Sequence, residues 1–296
     1  MDWKPPRTRG LIAGLGIIIG ILLVDVLLAV WITRKPVNLL SFALGLLITL
    51  SLLALALVAY WLYSLVSMRY IVNRNGLVIT CGATKQIIPM TSIQQLIPGA
   101  GRALEGRMQG IHWPGFWLGH GHLAGLGLTL FYATVPLEEQ ILVVTPTLTY
   151  AISPADKEAF TQAFEARRQL GPLKLWNQES QPARFATWNI WSDRPAHILL
   201  GLGLLLAAAL FAYLCWRYPG LPATVPLHFD TTGAVDRSGA RRSLFVLPVI
   251  SLLIWGANGV LGLILRSRER VAAYLLWGGT LLAQVLLGLA LSTLMR

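Results

Sequence analysis

The stretches Pro36–Met68, Ser243–Leu265 and Val271–Met295 are apolar and carry no Asp, Glu, Lys or Arg. A helix rises about 1.5 Å per residue, so about 20 apolar residues cross the hydrocarbon core of a bilayer. Each stretch is long enough. With the runs on either side of the middle region, the sequence predicts five spans: Leu11–Ile32, Val37–Val66, Ile198–Trp216, Ser243–Leu265 and Val271–Met295. Lipid offers the backbone no hydrogen-bond partners, so each span has to be a helix.

Composition excludes the main alternatives. Hydrophobic residues make up 55% of the 296 and charged residues 12%, with mean hydropathy +0.62, which does not fit a soluble protein. The net charge of +11 invites a nucleic-acid reading. Between Ser67 and Pro195, however, 11 Lys and Arg stand against 8 Asp and Glu, and the excess lies on the tails and loops beside the apolar runs. That is the pattern of membrane-flanking charge, so no nucleic-acid partner is expected. Cys81 and Cys215 sit in unrelated settings and read as two small buried hydrophobes.

The first span follows a basic start, Lys4, Arg7 and Arg9, but its apolar run is too long for a signal peptide and a second span follows within a few residues. It reads as a retained helix. Lys4, Arg7 and Arg9, with Arg266, Arg268 and Arg270, favour a cytoplasmic N-terminus and a cytoplasmic middle domain; Arg34, Lys35, Arg217, Arg237, Arg241 and Arg242 weigh against it. Trp31, Trp61, Trp188, Trp191, Trp216 and Tyr218 fall near span ends, as an interfacial aromatic belt requires.

The middle region has a different period. Tyr70-Ile71-Val72 and Leu77-Val78-Ile79-Thr80 flank Asn75-Gly76, which predicts a hairpin with a type I′ turn and positive φ at both positions. Gln86–Ile97, Gly127–Val135 and Gln140–Ile152 add short strands. A helix follows, with Ser153 as N-cap, Pro154 at its first position, Asp156 in capping-box position, Phe160 and Phe164 on one face, and Gly171-Pro172 as its stop. Residues 172–197 read as a polar linker back to the membrane.

Residues 68–171 resemble the bacterial pleckstrin-homology-like (PH-like) domains of multi-pass membrane proteins. The resemblance is carried by the opening hairpin, the glycine-rich run from Gly110 through His112, Trp113 and Gly115 to Gly119, Tyr132-Ala133-Thr134, and Ile152-Ser153-Pro154-Ala155-Asp156 leading into Phe160. It implies a bent β-barrel or sandwich inserted among the five spans and closed by a C-terminal helix. It does not imply phosphoinositide binding, because Arg74-Asn75-Gly76 has no room for the Lys and Arg cradle of lipid-reading members. Bacterial relatives more often look like protein-interaction or assembly modules.

A second resemblance lies in the loop 217–242: Val225-Pro226-Leu227-His228-Phe229-Asp230, then Gly233 and Asp236. It looks like an uncharacterised domain of relatives of the Sdp toxin-immunity membrane protein, except that Asp230 replaces the usual Asn and Arg241-Arg242 stands where Lys is frequent.

Candidate sites follow from these patterns. Asp25 lies inside the first span, where a charge implies a partner or a water-lined cavity; Arg34 or an arginine of the second outer loop would pair it near the outer third. His120 and His122, with His112 nearby, are weak metal candidates, without a cysteine or carboxylate close in sequence. Pro226, His228, Phe229, Asp230, Gly233 and Asp236 form the candidate recognition loop, with Asp230-Thr-Thr-Gly233 and Asp236-Arg-Ser-Gly239 read as turns. Gly10/Gly14 and Gly16/Gly20 have the spacing that lets helices approach closely. No catalytic motif occurs, and no cofactor is expected. The leading expectation is a non-catalytic module in the bacterial cytoplasmic membrane, for interaction, sensing or immunity, with the lipid bilayer and an unknown protein as partners. The alternative is a transporter or an accessory subunit using Asp25. A membrane hydrolase using His228 with Asp230 or Asp236 ranks third.

Overall fold

The computed structural model describes residues 1–182 and 193–295. Trp188 and Trp191, and part of the expected linker, lie outside the described residues. Among the described residues, five helices are long and apolar enough to cross a membrane. They are α1 (Thr8–Thr33), α2 (Leu39–Ser67), α4 (Arg194–Arg217), α5 (Val246–Arg266) and α6 (Arg270–Leu294), and a shorter α3 (Lys157–Gln169) belongs to the β-domain. The chain groups into two compact units. One holds Met1–Val24 and the chain from Leu52 through the β-domain; the other holds Asp25–Ser51 and the last three helices.

The first unit is built around two sheets. One has the order β1-β2-β3-β4-β11, from β1 (Asp2–Trp3), β2 (Arg69–Asn73), β3 (Gly76–Cys81), β4 (Thr84–Pro89) and β11 (Glu179–Gln181). The other has the order β5-β9-β10-β8-β7-β6, from β5 (Gln95–Pro98), β6 (Leu104–Trp113), β7 (Phe116–Leu123), β8 (Gly127–Ala133), β9 (Ile141–Val144) and β10 (Thr149–Ile152). Neighbours pair antiparallel except β8 and β10, which run parallel. Tyr70, Leu77, Ile79, Ile88, Phe116 and Tyr150 fill the core between the sheets, and α3 closes it with Phe160 and Phe164, both fully buried. Residues on both sides of the expected domain contribute. Asp2 and Trp3 pair with Ile71 and Tyr70, and Glu179–Gln181 pairs with β4.

Several local expectations are corrected. The turn of the first hairpin falls on Arg74-Asn75, among residues without positive φ, so it is not type I′. The Asn73 carboxamide holds it by accepting the Asn75 and Gly76 N–H groups at 2.9 and 3.0 Å. Gly76 is needed for another reason: a Cβ there would run into the Ile88 carbonyl of β4. The N-cap of α3 is Asp156, which accepts the Ala159 N–H at 2.9 Å. Ser153 is instead buried in the sheet, where its hydroxyl accepts the Thr134 N–H at 2.8 Å. The glycine-rich run forms the β6–β7 hairpin, with Gly110 opposite Gly119 where side chains would collide.

That hairpin docks on the start of α1. Its turn residue Gly115 has φ +86° and packs against the Gly10 backbone so closely that a Cβ on either residue would strike the other. The Trp113 indole donates to the Gly10 carbonyl at 3.3 Å, and Trp61 of α2 lies 5.9 Å from the Trp113 ring. Trp61 therefore takes part in the domain contact. Gly14 fits against Leu62 of α2, whereas Gly16 and Gly20 face open space.

Burial also sets the pH response of this unit. The Tyr70 hydroxyl donates to the Tyr132 carbonyl at 2.6 Å, and Tyr132 itself accepts from the Gln86 carboxamide at 3.0 Å. Burial raises the Tyr70 phenol far above its usual range and pushes the Tyr132 phenol and the Cys81 thiol up to about 12. Groups whose pKa is raised on folding stabilise the fold fully below the unfolded value. For phenols this is about 10, and the contribution is lost as pH climbs from there through the folded value. An absorbance titration of tyrosinate should therefore show two of the 8 tyrosines ionising only when the β-domain unfolds. Normal titration of all of them with the fold intact would contradict this.

Candidate functional site

Between α4 and α5 the chain forms a second, separate hairpin, β12 (Thr224–Phe229) and β13 (Val235–Ala240). Pro219, Gly220 and Pro222 end the helix before it, and the alternation of Val225, Leu227 and Phe229 favours an extended strand. Leu221, Val225 and Leu244 are buried with Leu210 and Leu214 of α4, Leu291 of α6 and Met295 just beyond it, which seats the hairpin on those helix ends. Arg241 fixes its base. Its guanidinium lies 4.7 Å from the centre of the Tyr218 ring and donates to the Leu221 carbonyl at 3.0 Å.

The structure brings three of the proposed residues into defined roles. Asp230 makes the expected turn: one carboxylate oxygen accepts the N–H groups of Thr232 and Ala234, both at 2.8 Å, and Gly233 takes φ +86°. The Thr232 hydroxyl and these N–H groups hold its carboxyl below the ordinary carboxylate range. Asp236 is not in a turn. It lies on β13, and its carboxylate sits 2.8 Å from His228 Nδ1 across a register shift in the hairpin. The two side chains are 48% and 65% exposed. An exposed pair of this kind adds about 1 kcal/mol or less even when charged, so stability does not explain it. The pair instead holds Nδ1 and turns Nε2 outward. Beside it is a cleft of about 620 Å³, lined on the polar side by His228, Asp236, Arg237 and Ser243, and on the apolar side by Leu227, Leu244 and Leu247 among others. Phe229 and Val235 are exposed near the hairpin tip, and Pro226 pairs with Ser238 in the ladder.

The remaining candidates are elsewhere. Asp25 is 7% exposed and does not pair with Arg34 or an outer-loop arginine among the described residues. Its partner is Ser51 of α2, whose hydroxyl lies 2.6 Å from Oδ1, while Oδ2 is buried without a hydrogen bond. His120 and His122 share one face of β7, opposite Gln109 and Glu105. His112 is across the strand pair from Trp117, whose ring it meets edge-on with centroids 4.1 Å apart, so it is not with them. Among the described residues, no three His, Cys, Asp or Glu side chains are placed to hold a metal.

Sequence reasoning missed a polar centre in the last three helices. Asp193 caps α4 by accepting the Ala196 N–H at 3.2 Å. Its carboxylate also accepts from Arg266, at the end of α5, at 2.6 and 2.7 Å, and from the Tyr274 hydroxyl of α6 at 2.9 Å. Burial alone would raise the Asp193 pKa, but these donors outweigh it and leave the carboxyl below its ordinary value. The signal was present as Asp193-Arg194-Pro195, an N-cap followed by proline in the first turn. Deeper in the bundle, Asn258 donates to Thr280 at 2.9 Å and Gln284 donates to the Gly203 carbonyl at 3.0 Å.

Residues 68–168 match the family described as a bacterial PH domain, and residues 205–252 match a domain of unknown function, DUF1648, found in Sdp immunity-like proteins. An uncharacterized protein of Archaeoglobus fulgidus is 44% identical over 52 residues, which cover 18% of this chain and 28% of that relative. The match thus spans well under two thirds of the relative's length. No solved structure matches the chain. The β-domain on α1 and α2 is therefore similar to bacterial PH domains, and the hairpin with its flanking helices to DUF1648, within a multi-pass arrangement of five apolar helices.

Proposed function

We propose that this protein is a non-catalytic membrane-anchored recognition module, with the β12–β13 hairpin as its reader and the PH-like domain as its contact with a partner protein. The reading rests chiefly on the exposed His228–Asp236 pair at the edge of the cleft. Its geometry stabilises little and presents an imidazole nitrogen next to an apolar wall, which suits an amphiphilic ligand. We place it in the bacterial cytoplasmic membrane, and the charges beside the spans favour the PH-like domain inside and the hairpin outside.

Photo-crosslinking from a benzophenone placed at Phe229, in intact membranes, tests the reader. A discrete adduct should form and should be lost in His228→Ala and Asp236→Ala. An adduct indifferent to both substitutions would sink the reading. An impermeant thiol reagent should reach a cysteine at Ser238 from outside the cell, and one at Gln181 only after lysis. The second reading is transport along a path through Asp25, supported by the unpartnered Oδ2. It predicts that Asp25→Asn abolishes solute flux in proteoliposomes, whereas the recognition reading predicts an unchanged Phe229 adduct.

A further inference from the structure

The hairpin β2–β3 stands with its open end on the membrane helix and its turn away from it. At the open end, the Gly82 N–H donates to the Ser67 hydroxyl of α2 at 2.7 Å and Cys81 touches the Ser64 carbonyl at 3.5 Å. Five strand residues then carry the chain from Arg69 to Asn73, roughly 15 Å beyond the end of α2. At that far end Arg74 and Asn75 pin the segment that leaves α3. Arg74 donates to the Leu170 and Gly171 carbonyls at 2.9 and 3.3 Å, and the Asn75 carboxamide accepts the N–H groups of Leu173 and Lys174, both at 3.0 Å. The segment is thus held in one shape, and the shape displays leucines. Leu170, Leu173 and Leu175 are 62%, 73% and 77% exposed.

Three leucines so exposed within six residues outside the spans are unusual for a segment that stays in water. The turn that pins them is at the end of the β2–β3 hairpin opposite the one bonded to α2, which favours an occupant other than the lipid around that helix. The charges around them name the occupant. Arg167, Arg168 and Lys174 lie beside the leucines in the chain and Arg74 is bonded to the Leu170 carbonyl, with Glu165 as the one acid from residue 165 to 175. Arg168 is already bonded to Glu165 at 3.7 Å and to the Gln94 carbonyl at 3.2 Å, whereas Lys174 is exposed at the centre of the patch.

We infer that this membrane-distal patch is the docking surface of the PH-like domain, and that its partner is an acidic protein segment bearing apolar side chains. Leucines of the patch bury the apolar residues of that segment, and Lys174 with the arginines selects its acids. The inference deepens the proposal that the domain engages a protein, since it names the surface and the chemistry.

The test uses the full chain in lipid nanodiscs and two fluorescent synthetic peptides, identical in leucine content, one with glutamates between the leucines and one with lysines. Anisotropy should show binding of the glutamate peptide alone. Leu173→Ser with Leu175→Ser should weaken it by on the order of tenfold, as loss of a buried apolar anchor does. Arg168→Glu with Lys174→Glu should reverse the preference toward the lysine peptide. Equal binding of the two peptides, or binding that ignores both sets of substitutions, overturns the inference. So does a blue shift of an environment-sensitive dye at position 175 on anionic phosphatidylglycerol vesicles, which would make the patch a membrane contact. Absence of peptide binding with the Phe229 adduct intact removes this surface and leaves the hairpin's role standing.

Discussion

Replacing Asp193 with Ala is expected to destabilise the three-helix bundle by about 3 kcal/mol or more, the usual cost of removing one partner of a buried ion pair. The Arg266 side chain is 11% exposed and the Asp193 side chain 6%, so little water is available to take the place of the lost carboxylate. The same substitution removes the N-cap of α4 and the acceptor of the Tyr274 hydroxyl. Asp193→Asn should cost less, since an amide oxygen still caps the helix. Combining Asp193→Asn with Arg266→Met should cost less than the alanine change alone, because no charge is then stranded. A detergent-unfolding titration followed by helical circular dichroism measures all three, and a wild-type midpoint for Asp193→Ala would refute the clamp. The pH dependence has a fixed sign. A carboxyl with a depressed folded pKa stabilises above its unfolded value of about 4, and that contribution is lost as pH falls through the folded value.

Gly115→Ala is expected to have the second large effect, on the other unit. At φ +86° an L-residue costs about 1–2 kcal/mol. The new Cβ also meets the backbone of Arg9 and Gly10, and neither can move without shifting α1; forced overpacking of this kind typically adds about 1–3 kcal/mol. Gly16→Ala is the control, because nothing lies within 4 Å of the new methyl and alanine favours the helix. Tryptophan fluorescence is a suitable probe, since Trp61 and Trp113 flank the contact. Equal melting temperatures for the Gly115 and Gly16 variants would show that the turn does not bear on the span.

The contrast between these glycines shows what a sequence reveals. Small-residue spacing marked Gly10, Gly14, Gly16 and Gly20 alike, yet Gly10 receives a turn of the β-domain, Gly14 receives Leu62, and the other two face open space. Spacing records which faces are small, not what approaches them. The spans were legible because about 20 consecutive, predominantly apolar residues are what a helix needs to cross the hydrocarbon core. The α3 phenylalanines were legible because i, i+4 periodicity reports burial directly. Gly110 and Gly119 hid the β6–β7 hairpin, since glycine has low strand propensity and only the facing backbone shows why it is required there. Asp236-Arg-Ser-Gly has the composition of a turn but lies in a strand, because the ladder to β12 and the contact with His228 outweigh local preference. Asp193 and Gln284 went unseen because a cap and an amide barely register in a count of charges. Their roles depend on partners 73 and 81 residues away.

The pairing of Asp2 and Trp3 with Ile71 and Tyr70 has a consequence for biogenesis. One sheet takes an edge from ahead of the first helix and its neighbour from behind the second. It cannot close until the start of α1 and the end of α2 lie side by side, as they do when the two helices form a returning pair. A chain whose first helix failed to insert would strand its opening residues across the bilayer from the strand they complete, so the finished sheet is itself a check that membrane integration went correctly.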